Sequence, residues 1–484
     1  MHEKLKGIPQ EILDIPRPKG TKVKKSGNNY YVVKRTSIYV DGKRKPVEIG
    51  TVGKIIDGAY VPYEEVKKAR SSLSFTDCDI KTWGSVEYFD RLSKPIYDDL
   101  LSVFDNGDAT RIYVMALLRA IFGNIVNRDM KFKYDTSFLS EKYKNIPLSE
   151  KAISNYLDLL GKNYNRLVEF SKNKINKLNI ETKIAIDGML KDCQCKTSDF
   201  TKWSRKCKTK GTQDISIIVA YDIKSGEPIA HKIYPGNMLD KTAFEDFLKT
   251  FPSDKYFCLA DKGFNDTLSK EKIVAMNSNY IIPLKRNDVI AKECIKEIKH
   301  ILDVKDDNVL YGTLVKDNKY YYAFRNIYDE EIEKKAYLAN ALKNDRFSND
   351  NYNKKLDVFG TIIFESNKEL TPLEVYSAYE ERWNIEVNFN FYKNIIMLDK
   401  VSVQDDTSII GSEFINFISS IISCKVKKDL KEKGISKDYS YKQTLSYLNE
   451  MKQIKNPSDN TWIHCKTLKY ISELAEKLGL NSNV

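Results

Sequence analysis

The chain has 484 residues, 42% hydrophobic and 11% aromatic, which leaves room for about three domains with real cores. Its formal charge of +12 favours a polyanionic partner, and eight scattered cysteines fit reduced thiols in a cytoplasm rather than a disulfide framework. There is no run of about 18 apolar residues and no apolar signal core after Met1, so neither a membrane span nor a signal peptide is expected. A zinc site at Cys193-x-Cys195 with Cys207 would lack a fourth nearby ligand, and the four His are too dispersed for a His-based one.

Residues 1–75 carry 16 Lys and Arg against 8 Asp and Glu, a net of +8. The stretch 30–40 is rich in β-branched and aromatic residues, Asp41-Gly42 is a turn signal, and 46–52 reads as a second strand. This predicts a small basic β-hairpin module bearing Lys22, Lys24, Lys25, Lys34, Arg35, Lys43, Arg44 and Lys45. From the residues alone, a DNA-contacting arm and a solvated basic face are both open. Residues 76–180 read as helices, with periodic stretches at 93–104, 109–122 and a long one at 149–178.

From 181 the pattern turns to strands. A short apolar strand, 183–187, ends in Asp187. Strands at 214–221 and 229–234 follow, joined by Ser225-Gly226-Glu227-Pro228. A helix at 242–250 leads to a strand at 256–261 that ends in Asp261, then a helix at 268–276 and a strand at 279–285. The order βββαβαβ over 181–287 is that of the first part of a ribonuclease-H-like α/β core. Residues 288–365 interrupt it as a β-rich insertion. There, paired strands flank Lys316-Asp317-Asn318, a helix covers 330–342 and a strand covers 358–364. Residues 366–400 hold the last part of the core, a helix opened by Pro372. The remainder, 401–484, reads as helices at 412–428, 440–451 and 467–478.

The helix after Pro372 contains Tyr379, Arg382, Glu386 and Lys393. At about 100° per residue these fall at about 0°, 300°, 340° and 320°, one polar stripe. Beside it, Ile385, Phe389, Tyr392 and Ile396 fall at about 220–280°, an apolar stripe for a core. An Arg–Glu pair one turn apart is commonly a surface ion pair; a four-position pattern asks for more.

The spacing Tyr-x2-Arg-x3-Glu-x6-Lys resembles the YREK signature of DDE-type transposases of bacterial insertion sequences, the group typified by type-4 insertion sequences. The resemblance implies that Asp187, Asp261 and Glu386 are the catalytic carboxylates. It also implies that they hold two Mg²⁺ ions, with Mn²⁺ able to substitute. Hard cations take carboxylate oxygens, and two of them can stabilise the attacking and leaving oxygens of a phosphodiester. Tyr379, Arg382 and Lys393 would then hold the DNA end. The partner is double-stranded DNA, element ends and target, with a homodimer in the paired-end complex and no membrane. Related transposases pass through a hairpin at the element end. One departure is Met189 after Asp187-Gly188, where the family usually has a small hydroxyl residue. Residues 191–210 add seven Lys and Arg against two acids, with Trp203 and Arg205 suited to strand contact or to a solvated loop. Two alternatives share these residues: a DNA-binding protein or decayed transposase that keeps the fold, and a two-metal nuclease without strand transfer.

Overall fold

The computed structural model describes residues 7–27, 29–40, 43–64, 78–123, 125–193, 195, 197–204, 213–304, 307–344, 347–395, 400–401, 403–457 and 459–480. It divides into two units, Met1–Ile80 with Ile454–Ile463, and Lys81–Gln453 with His464–Val484.

The first unit is an antiparallel meander of β1 (Thr21–Ser26), β2 (Asn29–Val40), β3 (Lys43–Ile56) and β4 (Ala59–Pro62). The expected hairpin is β2–β3, with Tyr39 opposite Arg44. Its Asp41-Gly42 turn lies outside the described residues. Two flanking strands were not expected. In β1, Thr-Lys-Val-Lys-Lys-Ser, only Val23 is buried, so the strand carries almost no apolar signal. Val23, Val32 and Ile55 form the small core, with Ile8, Ile12 and Leu13 against it. Register shifts follow Val32 and Lys34. Beyond them the ribbon is exposed on both strands.

In the second unit, helices Gly84–Leu101, Asn106–Phe122, Glu150–Lys162 and Tyr164–Asn176 share one core with the long helix Asp406–Glu432. The single helix expected over 149–178 is two. They meet at Asn163, whose ψ of 36° leaves the helical region. Close approach accompanies the break: a Cβ on Gly161 would lie 1.8 Å from the Thr407 carbonyl oxygen, and one on Gly411 2.1 Å from that of Leu157. The long helix is apolar and long enough to cross a membrane by composition, contrary to expectation. However, 89% of its apolar window is buried inside the protein, which makes it the central helix of this core.

The strands β6 (Thr182–Cys193), β7 (Gln213–Asp222), β8 (Pro228–Pro235), β9 (Tyr256–Ala260) and β10 (Asn279–Pro283), numbered after a short β5 (Ile80–Thr82), form a mixed sheet. Its order is β8-β7-β6-β9-β10. β6 is antiparallel to β7, β7 to β8, while β9 runs parallel to β6 and β10 parallel to β9. The insertion is not a separate sheet. β11 (His300–Val304), β12 (Asp307–Lys316), β13 (Lys319–Asn326) and β14 (Thr361–Ser366) continue the same sheet, β14 pairing antiparallel with β10. A two-residue strand, β15 (Lys400–Val401), adds parallel to the far end of β6.

Along β6 the side chains alternate as a strand requires. Ile184 and Ile186 enter one core with Phe244 and Phe247, whereas Ala185, Met189 and Cys193 enter another with Val375, Ala378 and Tyr392. The second face is covered by the helix Pro372–Asn390. Two short strands near the C-terminus, β16 (Lys452–Lys455) and β17 (Trp462–His464), were missed by the helical reading of that region.

Candidate active site

The site begins with a step in the sheet. β6 and β9 pair in parallel with Ile186 opposite Ala260, after which β9 stops. Asp261 is the first residue beyond it and caps a short turn, Lys262–Phe264. β6 does not stop there. It continues to Cys193, held by β7, with Asp187 opposite Val219. Asp187 is therefore inside a strand, not at its end as expected, because its antiparallel neighbour outlasts its parallel one. The outcome is nonetheless a pair of aspartates side by side at the next register position, one of them freed by the end of β9. The Gly188 amide donates to Asp187 Oδ1 at 2.7 Å.

Arg382 reaches this pair from the helix laid over the sheet. Its Nη2 lies 3.3 Å from Asp261 Oδ1 and 3.8 Å from Asp187 Oδ2. The arginine side chain is 10% exposed, the aspartates 22% and 51%. Its Nε is buried, with no hydrogen-bond partner among the described residues. Two carboxylates thus converge on one cationic group. Oxygen donors so arranged fit a hard divalent cation. Among the described residues no group of three His, Cys, Asp or Glu forms a metal cluster. Glu386 stands on the same helix one turn beyond Arg382, and its side chain is outside what is described.

The remaining stripe positions differ from the helical wheel. Tyr379, Arg382 and Glu386 all lie in the α-helix, but at Phe391–Ile395 the helix widens into a π-turn. Lys393 therefore does not follow the 100° spacing. Its Nζ donates to the Leu190 carbonyl of β6 at 2.8 Å. The resemblance implies a place for it at the DNA end; in the chain alone the ammonium is turned to the strand. Tyr379 is half-buried, its ring 4.8 Å from that of Phe364 on β14. Of the apolar stripe, Phe389 meets Tyr221 edge-on at 5.7 Å and Tyr392 is buried; the side chains of Ile385 and Ile396 are not described.

Trp203 is 60% exposed in a loop, and Arg205 lies outside the described residues. Lys34, Arg35, Lys43 and Arg44 are exposed on the β2–β3 ribbon of the first unit. Cys193 accepts from Thr201 Oγ1 at 3.1 Å and Cys195 donates to the Gln404 carbonyl at 2.8 Å, so both thiols have partners other than a metal.

The sequence reading missed a buried polar cluster on the same face of β6. Lys191 Nζ sits 2.7 Å from both oxygens of Glu413, with the Tyr392 hydroxyl 3.2 Å away. The only signal was a lysine and a glutamate set in otherwise apolar runs.

Residues 181–408 match the family model described as a transposase DDE domain, which supports a DDE transposase family for this span. It contains Asp187, Asp261 and Glu386. Among solved structures, the chain is similar to the piggyBac transposase in a cryo-EM synaptic complex with hairpin DNA. That likeness is at 11% identity and a TM-score of 0.40, over 79% of this chain and 77% of that one. It is also similar to the Mos1 transposase in a paired-end complex with left transposon end, at 12% identity and a TM-score of 0.15, over 32% of this chain and 53% of that one. No curated protein sequence matches the chain.

Proposed function

We propose that the chain is a DDE-type transposase of the YREK group of bacterial insertion sequences, acting on DNA in the cytoplasm. It binds terminal inverted repeats, cleaves at the element ends and joins the 3′ ends to target DNA, as a homodimer that holds two ends. The observation that carries this reading is the convergence of Asp187 and Asp261 beneath Arg382, on the helix that also bears Glu386. The strand order β8-β7-β6-β9-β10, three antiparallel strands and then two parallel ones, is the order expected of a ribonuclease-H-like core, which supports the same reading.

Asp187, Asp261 and Glu386 are the metal ligands in this proposal. When bound there, two Mg²⁺ ions, or Mn²⁺ in their place, supply Lewis acidity to the scissile phosphate and charge stabilisation to its attacking and leaving oxygens. The protein's own part is positional. The Gly188 amide fixes the Asp187 carboxylate. The Arg382 guanidinium, already beside both aspartates, can fork onto an entering phosphate. The exposed Trp203, with Arg205, offers a stacking surface for a strand. The basic module at 1–75, through Lys34, Arg35, Lys43 and Arg44, adds sequence-independent affinity.

The test is nicking of a duplex that carries the element's own end. The chain should nick with Mg²⁺ or Mn²⁺, and Ca²⁺ should support binding with little cutting because its looser coordination places the nucleophile poorly. Glu386→Gln should abolish nicking and strand transfer with end binding retained. Equal cutting in EDTA, or an active Glu386→Gln, would overturn the assignment.

A further inference from the structure

The cluster behind the site asks for a reason. Lys191 is fully buried, and Glu413 nearly so. The Tyr392 hydroxyl donates to Glu413 at 3.2 Å. Asn416 donates to the same carboxylate at 2.9 Å and accepts from Arg119 Nη1 at 2.7 Å; that nitrogen also donates to the Ser412 carbonyl at 2.9 Å. Two buried cations thus sit at one carboxylate, Lys191 in direct contact and Arg119 through Asn416. His231, stacked on Phe417 at 4.3 Å, does not change the count, since burial and the Lys191 charge push its pKa down to about 3. Buried ion pairs are often no more stabilising than well-packed apolar side chains of the same size. Stability alone therefore does not account for the cluster.

Its location does. Lys191 is four residues beyond Asp187 on the same face of β6, about 13 Å along the strand. Tyr392 directly precedes Lys393 in the π-turn that ends the site helix, six residues after Glu386. Lys393 bonds Leu190, next to Lys191. The strand that holds the first carboxylate, the turn that ends the helix of the third, and the long helix are tied at one point. π-turns within helices often mark functional sites.

Resting on the proposed function, we infer that Lys191, Glu413 and Tyr392 are positioning residues: they set the depth and rotation at which the helix presents Glu386 to Asp187 and Asp261. Groups that hydrogen-bond metal ligands typically govern metal affinity by about 10–100-fold, and residues that act through the helix, at one remove, belong at the low end of that range.

The experiment titrates Mn²⁺ alone into the full chain and follows free Mn²⁺ by electron paramagnetic resonance, with thermal melting and end binding in parallel. The double variant Lys191→Met with Glu413→Leu replaces the pair by apolar side chains of similar size. It should fold but melt below the parent, because Asn416 and the Tyr392 hydroxyl lose their acceptor, and bind the DNA end equally, yet bind Mn²⁺ about tenfold more weakly. Tyr392→Phe, which removes one hydroxyl and keeps the packing, should weaken Mn²⁺ in the same direction and serves if the double variant fails to fold. Unchanged Mn²⁺ affinity in a folded variant would make the cluster structural only and overturn the inference. If the parent's Mn²⁺ binding survives Asp187→Asn, the metal site itself is wrong, and the proposed function falls together with the inference.

Discussion

Arg382 places a single positive charge between Asp187 and Asp261. Two carboxylates side by side repel unless a cation sits with them. Arg382→Ala removes that cation. The aspartates are partly exposed, so the penalty is on the order of 1 kcal/mol, as for partly solvated ion pairs. In EDTA the variant should melt about 1 °C below the parent. Adding Mn²⁺ should raise the variant's midpoint more than the parent's, because the ion then supplies what the guanidinium did. A variant that melts with the parent in EDTA would show that the pair does not need the charge. At this scale, the adjacency of Asp187 and Asp261 was legible in the sequence, since strand order brings them together; the place of Arg382 beside both was not read from it. Lys191 and Glu413 were not, because a lone charged residue in a sequence reads as surface until its partner across the fold is known.

The elements were legible where one physical rule dominates. β6, β7, β9 and β10 are apolar runs bounded by turns and lie where the sequence put them, apart from the extension of β6 past Asp187. That extension depends on which neighbour stops first, a tertiary fact. The π-turn at Phe391–Ile395 was invisible for a similar reason: it leaves sequence periodicity intact up to Asn390. The break at Asn163 belongs to the same class. Gly161 and Asn163 lower helix propensity without ending the periodic pattern, and packing against the long helix coincides with the interruption. At Gly161 the backbones are so close that an added methyl meets the Thr407 carbonyl. Gly161→Ala should therefore destabilise despite alanine's better helix propensity, by about 1–3 kcal/mol as for overpacked cores. A urea titration followed by circular dichroism measures it. A gain in stability would mean that the two helices separate at little cost.

For the whole molecule, charge is the property read most directly from sequence, and it is uneven. Residues 1–75 hold a net +8 of the chain's +12. Deleting them should weaken binding to the element end and flatten its dependence on salt, since fewer counterions are released per complex. A truncated chain with the same affinity and salt slope would remove DNA contact from this module. What composition could not convey is that the helical stretch before the sheet and the one after it build a single core around Asp406–Glu432. Each reads as an independent amphipathic region until the contacts between them are known.

The hairpin β12–β13 turns at Asp317 and Asn318, both at positive φ (52° and 55°), with Lys316 opposite Lys319. Its strands are stitched into the sheet two and three positions beyond β10, and it is β14 that leads into the helix that carries Glu386. The turn lies beyond the last cross-strand pair, Lys316 with Lys319, so slack introduced between Asp317 and Asn318 breaks none of the pairs that hold the ribbon in the sheet. The tip is thus a port for protein engineering: a short fluorescent or affinity tag placed between Asp317 and Asn318 should leave end nicking within about twofold of the parent, as surface-loop insertions are tolerated far from packed cores. The same tag inserted after Thr371, at the foot of the helix, should silence it. A chain labelled in the first way would allow the proposed assembly on DNA to be watched one complex at a time.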